Sequence, residues 1–229
     1  MKKTVNAYRI LITTFLLAIS GTFVSKAQEG RVALGLKAGH NAVYSGYTAI
    51  SIEAEQSFLK HFSISAGALY NTIGKVVAEV RPSYYHDFTW GKLSAEILME
   101  YTNTSSINTF AAGAGLSIGS KWVYCRAGYY YKSFCSNVWR MSEPFNIYYT
   151  MAINCLPMYP KWDLRLYVTN CETFELERHY QPSFVLQGGY MPVERIGITV
   201  GIGYKPAGMF HLATDYHQIH TKAGICYRW

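Results

Sequence analysis

Lys222-Ala223-Gly224-Ile225-Cys226-Tyr227-Arg228-Trp229 closes the sequence. Taken alternately, Ala223, Ile225, Tyr227 and Trp229 form an apolar set; Lys222, Gly224, Cys226 and Arg228 form a polar or small one. A repeat of two is the period of a β-strand, whose side chains point alternately to opposite faces. The last residue is an indole, a ring that favours the boundary between an apolar medium and water. A strand greasy on one face and charged on the other needs an apolar surrounding for the first and water for the second. Which face turns inward decides the fold.

The same period recurs upstream. Residues 195–204 set Ile196, Ile198, Val200, Ile202 and Tyr204 against Arg195, Gly197, Thr199, Gly201 and Gly203. Residues 90–102 set Leu93, Ala95, Ile97, Met99 and Tyr101 against Lys92, Ser94, Glu96 and Glu100. Twelve segments alternate in this way: 31–43, 47–56, 62–70, 75–85, 90–102, 107–118, 122–132, 146–155, 162–170, 183–190, 195–204 and 219–229. The segment at 75–85 is the weakest, because Pro82 lacks a ladder donor and belongs at an edge or a bulge. It is counted because omitting it would reverse the direction of every later strand. Strands of about 9–12 residues have the reach of a tilted strand across a bilayer. Twelve is the count adopted, and ten is the alternative. Short turns such as Leu59-Lys60-His61 and Pro192-Val193-Glu194 then fall at one end, and the longer loops 133–144, 171–181 and 205–218 at the other.

A soluble barrel alternates as well, with its apolar face inward. Two features point the other way. A barrel of about twelve strands has more interior than side chains of this size fill dry. Tyr70, Tyr101, Tyr131, Trp162, Phe184, Tyr190, Tyr204, Tyr227 and Trp229 also share the apolar face near strand ends, where a lipid bilayer favours aromatic rings. The expected fold is therefore all-β: a closed up-and-down antiparallel transmembrane barrel. Its inward face carries Lys37, Glu53, Glu55, Glu79, Arg81, Lys92, Glu96, Glu100, Arg126, Asp163, Arg165, Arg195 and Arg228, together with Arg31, Lys132 and Lys222.

The start of the chain fits export. Lys2, Lys3 and Arg9 precede a nearly unbroken apolar run, and Ser25-Lys26-Ala27 offers small residues before Gln28. Residues 1–27 read as a cleaved signal peptide, and 28–229 as the barrel. The run is about fifteen residues, short of the roughly twenty a spanning helix needs. Residues 1–27 hold four of the 21 basic residues and none of the 14 acidic ones, so the barrel's charge is +3 rather than +7. A nucleic-acid partner thereby loses its support. The five cysteines, Cys125, Cys135, Cys155, Cys171 and Cys226, match no metal or redox spacing; a Cys135–Cys171 bridge is the one pairing considered.

The signal peptide, the alternating strands with tight turns, and the terminal Cys226-Tyr227-Arg228-Trp229 resemble the small outer-membrane β-barrel proteins, OmpA-like or porin-like, of the Bacteroidota type. That resemblance implies a bacterial outer-membrane location and contact with its lipid. It also implies insertion by the barrel assembly machinery through the strand ending at Trp229.

The chemistry is less defined. A lumen with acids mainly on the second to fifth strands and bases elsewhere suits a polar pore for small solutes, and equally a salt-bridged plug. His211, Asp215 and His217 are a weak metal candidate without standard ligand spacing, and His220 falls off their face. Asp215 and His217 also fit a hydrolase scheme, but no nucleophile is spaced for it. The reading is of a non-enzymatic barrel with no cofactor. Trp139, Arg140, Glu143, Phe174, Glu175, Glu177 and Arg178, in the longer loops, suit an extracellular ligand or protein partner.

Overall fold

The structure, a computed structural model, describes residues 29–41, 46–58, 60–104, 106–172, 175–176, 182–206 and 218–229. The signal-peptide segment 1–27 lies outside them, as do His211, Asp215, His217, Phe174, Glu177 and Arg178.

The described strands are β1 (Glu29–Asn41), β2 (Tyr47–Phe58), β3 (Phe62–Asn71), β4 (Val76–Phe88), β5 (Gly91–Asn103), β6 (Asn108–Gly119) and β7 (Val123–Cys135). They continue as β8 (Arg140–Asn154), β9 (Trp162–Thr169), β10 (Cys171–Glu172), β11 (Glu175–Leu176), β12 (Ser183–Val193), β13 (Ile196–Lys205) and β14 (Gln218–Arg228). Twelve of them form one closed antiparallel barrel in chain order, and β10 and β11 form a separate two-residue hairpin between β9 and β12. The count is twelve, not ten.

Closure runs from Arg31↔Arg228 to Asn41↔Gln218 between β1 and β14. The seam extends past the last strand residue: Trp229 N–H donates to Gly30 O at 3.1 Å, and Gly30 N–H to Trp229 O at 3.3 Å. The Trp229 indole lies across Gly30 so closely that a Cβ there would sit 2.1 Å from the ring. Glycine at 30 thus lets the terminal aromatic ring lie over the seam. Closure leaves the barrel without an unpaired edge.

The two faces divide as the alternation requires. Ile196, Ile198 and Val200 are 38%, 47% and 57% exposed on the outside, whereas Glu100 and Arg126 are 3% and 7% exposed inside. This inverts the arrangement of a soluble protein, where Glu and Arg are rarely buried.

Pro82 sits neither at an edge nor at a bulge. The β4–β5 ladder runs to Val80↔Met99, is interrupted at Arg81 and Pro82, and resumes at Ser83↔Glu96 in the same register. A missing donor therefore opens a gap without displacing the strand. A register shift occurs instead between Tyr130 and Lys132, where β7 meets β8.

Two expected loops differ. Residues 133–144 are mostly strand: β7 runs to Cys135, β8 starts at Arg140, and only residues 136–139 turn. Beyond β9 the chain does not simply leave the barrel. Asn170 and Cys171 are both buried, and Cys171 packs with Leu98, Ala111, Tyr130 and Tyr148 inside the wall.

Candidate functional site: the barrel lumen

Facing positions of β5 to β8 bring Glu96, Arg126 and Tyr148 together. Arg126 Nε donates to Glu96 Oε1, the Tyr148 hydroxyl donates to the same oxygen at 2.8 Å, and the Arg126 guanidinium lies 4.9 Å from the Tyr148 ring centre. One carboxylate oxygen thus holds a cation and a phenol, and the cation rests on the phenol's ring. Tyr148 reaches this position because two wall residues facing it lack side chains: a Cβ on Gly115 or Gly128 would fall 2.1 or 2.4 Å from its atoms.

Above this triad one side of the lumen is dry. Leu98, Ala111, Tyr130 and Cys171 pack against Tyr148. Asn170 fixes the inward turn that brings Cys171 there. Its side-chain amide donates to Ile147 O at 2.8 Å, its Oδ1 accepts from Tyr149 N–H at 2.7 Å, and its own N–H donates to Tyr149 O at 3.2 Å. Thr169 adds a hydroxyl contact to Thr150 at 2.7 Å and accepts from Cys171 N–H at 3.0 Å. Burial pushes the Cys171 thiol up to about 12, so it is neutral at physiological pH.

The opposite side is open. A cavity of about 300 Å³ runs along β1, β2 and β12 to β14, where Gly35 and Gly224 leave room. Its walls carry Arg31, Lys37, Arg126, Lys222 and Glu53. A wider space of about 910 Å³ lies near the end that holds both termini, lined by Glu55, Asp87 and Glu96 and by Arg81, Lys92 and Lys121. The two spaces share Tyr124.

The residues expected to face inward take several positions. Glu79 and Arg81 pair with one another along β4, and Asp163 and Arg165 pair along β9 at 2.7 Å. Glu100 is buried, accepting from Thr102 at 3.2 Å. Lys92 places its ammonium 3.5 Å from the centre of the Tyr85 ring. Lys37 and Glu53 line the narrower cavity and Glu55 the wider space. Arg195 lies in the turn between β12 and β13 and is exposed, because the strand begins only at Ile196. Arg228 is exposed at the end of β14. The Cys135–Cys171 bridge does not form: all five cysteines are free, with Cys171 drawn into the lumen. Glu143 and Arg140 lie on β8, not in a loop, and Trp139 turns.

Beyond the charged residues expected there, Leu69, Val77, Leu98, Tyr130 and Val185 are also buried on the inner face. Their signal was present. Leu98 falls between Glu96 and Glu100 at the charged parity of its strand, and an apolar residue at that parity marks a place where the interior is packed rather than wet. Asn170 left no comparable signal.

No family model matches the chain, and no curated protein matches it in sequence. Solved structures do match it in fold. The KdgM porin superposes with a TM-score of 0.51 at 11% identity over 85% of this chain and 98% of that one. The NanC porin gives 0.55 at 13% identity over 85% and 98%. The translocator domain of the autotransporter NalP from Neisseria meningitidis gives 0.57 at 10% identity over 99% and 98%. These likenesses show a shared barrel architecture.

Proposed function

We propose that the protein is a porin-like barrel of the bacterial outer membrane that passes small polar solutes by passive diffusion. The observation that carries this is the inversion of faces. A belt of exposed Ile, Leu, Val and aromatic residues surrounds the wall, while ion pairs and unfilled space occupy its centre. Such a surface is stable only in lipid, and a closed barrel is the sheet form whose backbone is fully paired there. The similar porins support a channel. On this reading residues 1–27 direct export and the strand ending at Trp229 is the element the assembly machinery engages.

A second reading has its own support. The dry packing of Leu98, Tyr130, Tyr148 and Cys171 narrows the lumen from one side, which suits a closed structural or surface-binding barrel. Planar-bilayer recording separates the two. A porin gives stepwise, voltage-tolerant currents from the purified folded protein. Folded protein that inserts but carries no current selects the closed barrel.

A further inference from the structure

The outer face of the wall is not uniformly filled. Across β4 to β7, outward positions in two adjoining ladder rows carry short or flat side chains: Pro82, Ala95, Ala114 and Ala127. Taller, exposed neighbours rise around them, Phe62 and Tyr84 at one end and Leu116 and Tyr129 at the other. The result is a groove of about 630 Å³, within the size range of small-ligand sites. It opens on the apolar outside of the barrel, not on the lumen.

The groove has a direction. Phe62 opens β3, whereas Tyr129 lies six residues into β7, and both strands start at the end that holds the termini. Six residues at about 3.3 Å each, on strands tilted about 40°, climb about 15 Å, half of the roughly 30 Å apolar core of a bilayer. The groove therefore matches one leaflet, entered from its headgroup side.

A second feature marks that entrance. The His61 ring lies 5.9 Å from the Tyr84 ring and 5.5 Å from that of His86. The rings continue from His86 to Phe88 at 4.7 Å and from Phe88 to Trp90 at 5.2 Å. Aromatic rings gather at headgroup depth. Lys60, beside His61 in the short turn, is exposed, and so is His86. An ammonium and an imidazole N–H at the mouth of an apolar groove suit a phosphate whose hydrocarbon chain lies along that groove.

We propose that the groove holds one glycerophospholipid of the periplasmic leaflet, with an acyl chain over Ala95, Ala114 and Ala127 and the phosphate at Lys60 and His86. This rests on the outer-membrane reading, under which the short-turn end faces the periplasm, and not on conduction.

The test is native mass spectrometry of the full folded protein released from detergent micelles that contain phosphatidylglycerol. One bound phospholipid is expected. Ala114→Trp fills the groove from the lipid side and should weaken retention about tenfold, the displacement of about two methylene groups. Ala127→Leu, a milder filling, should act in the same direction. Lys60→Glu should lower retention of phosphatidylglycerol but not of diacylglycerol, which lacks the phosphate. Ile198→Trp, at a lipid-facing position of β13, is the control and should retain the phospholipid. Folded wild-type protein that binds no phospholipid, or equal binding by the Ala114→Trp and Ile198→Trp variants, overturns the site. So does a mass of two chains that Ala114→Trp abolishes, because the groove would then be a contact between copies. Protein that stays monodisperse without detergent sinks the outer-membrane reading and the site with it, whereas protein that inserts into vesicles yet binds no phospholipid sinks the site alone.

Discussion

Gly115 shows how much of the lumen rests on the absence of a side chain. A Cβ there would meet the Tyr148 hydroxyl at 2.1 Å and the Ala127 carbonyl oxygen at 2.7 Å. The phenol cannot swing away freely, because Glu96 holds its hydroxyl and Arg126 covers its ring. The carbonyl belongs to the paired strand and moves only with it. Gly115→Ala is therefore expected to destabilise the barrel by about 1–3 kcal/mol, the usual cost of overpacking. The measurement is the urea midpoint for unfolding in detergent, which should fall with no change of slope. Gly188→Ala is the control: its nearest neighbour would be 3.8 Å from the new carbon, so its midpoint should hardly move. Equal midpoints for the two variants would mean that Tyr148 is not fixed as described.

At the scale of the element, the segment after β9 is held inward by the side chains of Asn170 and Thr169. Asn170 makes three bonds to the backbone of β8, and Cys171 follows it into the dry side of the lumen. In the intact protein Cys171 should resist maleimide at pH 8, while exposed Cys155 reacts. Asn170→Ala should release the turn and raise Cys171 labelling by at least about tenfold, as loss of bonds worth about 1 kcal/mol each implies. Slow labelling in the variant would show that the turn is held by something else. The pH dependence follows from the raised thiol pKa. The folded state holds this proton more tightly than the unfolded chain, so its stabilising effect is whole below the ordinary value of 9.0 and is lost as pH rises towards 12. The sequence did not announce this turn, nor the strand extensions at 133–135 and 140–144. Alternation is enforced where one face meets lipid and the other an enclosed lumen. Ser133-Phe134-Cys135 and Arg140-Met141-Ser142-Glu143 show no such split, and the register shift beside Tyr131 breaks the parity.

For the whole molecule, the wall was legible because each strand must separate its two solvents by itself. Ile196 to Tyr204 states that separation without help from any other part of the chain. The contents of the lumen were not legible, because they depend on meetings between distant residues. Glu96 and Tyr148 are 52 positions apart and come together only once the barrel has closed. The inward parity of Glu96 and Arg126 was readable; their pairing, the packing around Leu98 and the eccentric cavity were not. The most direct test of the account follows β13 residue by residue. Single cysteines placed at 196–202 in a background lacking the five native ones would carry a fluorophore in lipid vesicles, with quenching by lipid-borne and by water-soluble nitroxides measured at each site. Labels at Ile196, Ile198, Val200 and Ile202 should be quenched from the lipid, and those at Gly197, Thr199 and Gly201 from the water. Uniform quenching along the strand, or the opposite alternation, would contradict a barrel with its greasy face in the membrane.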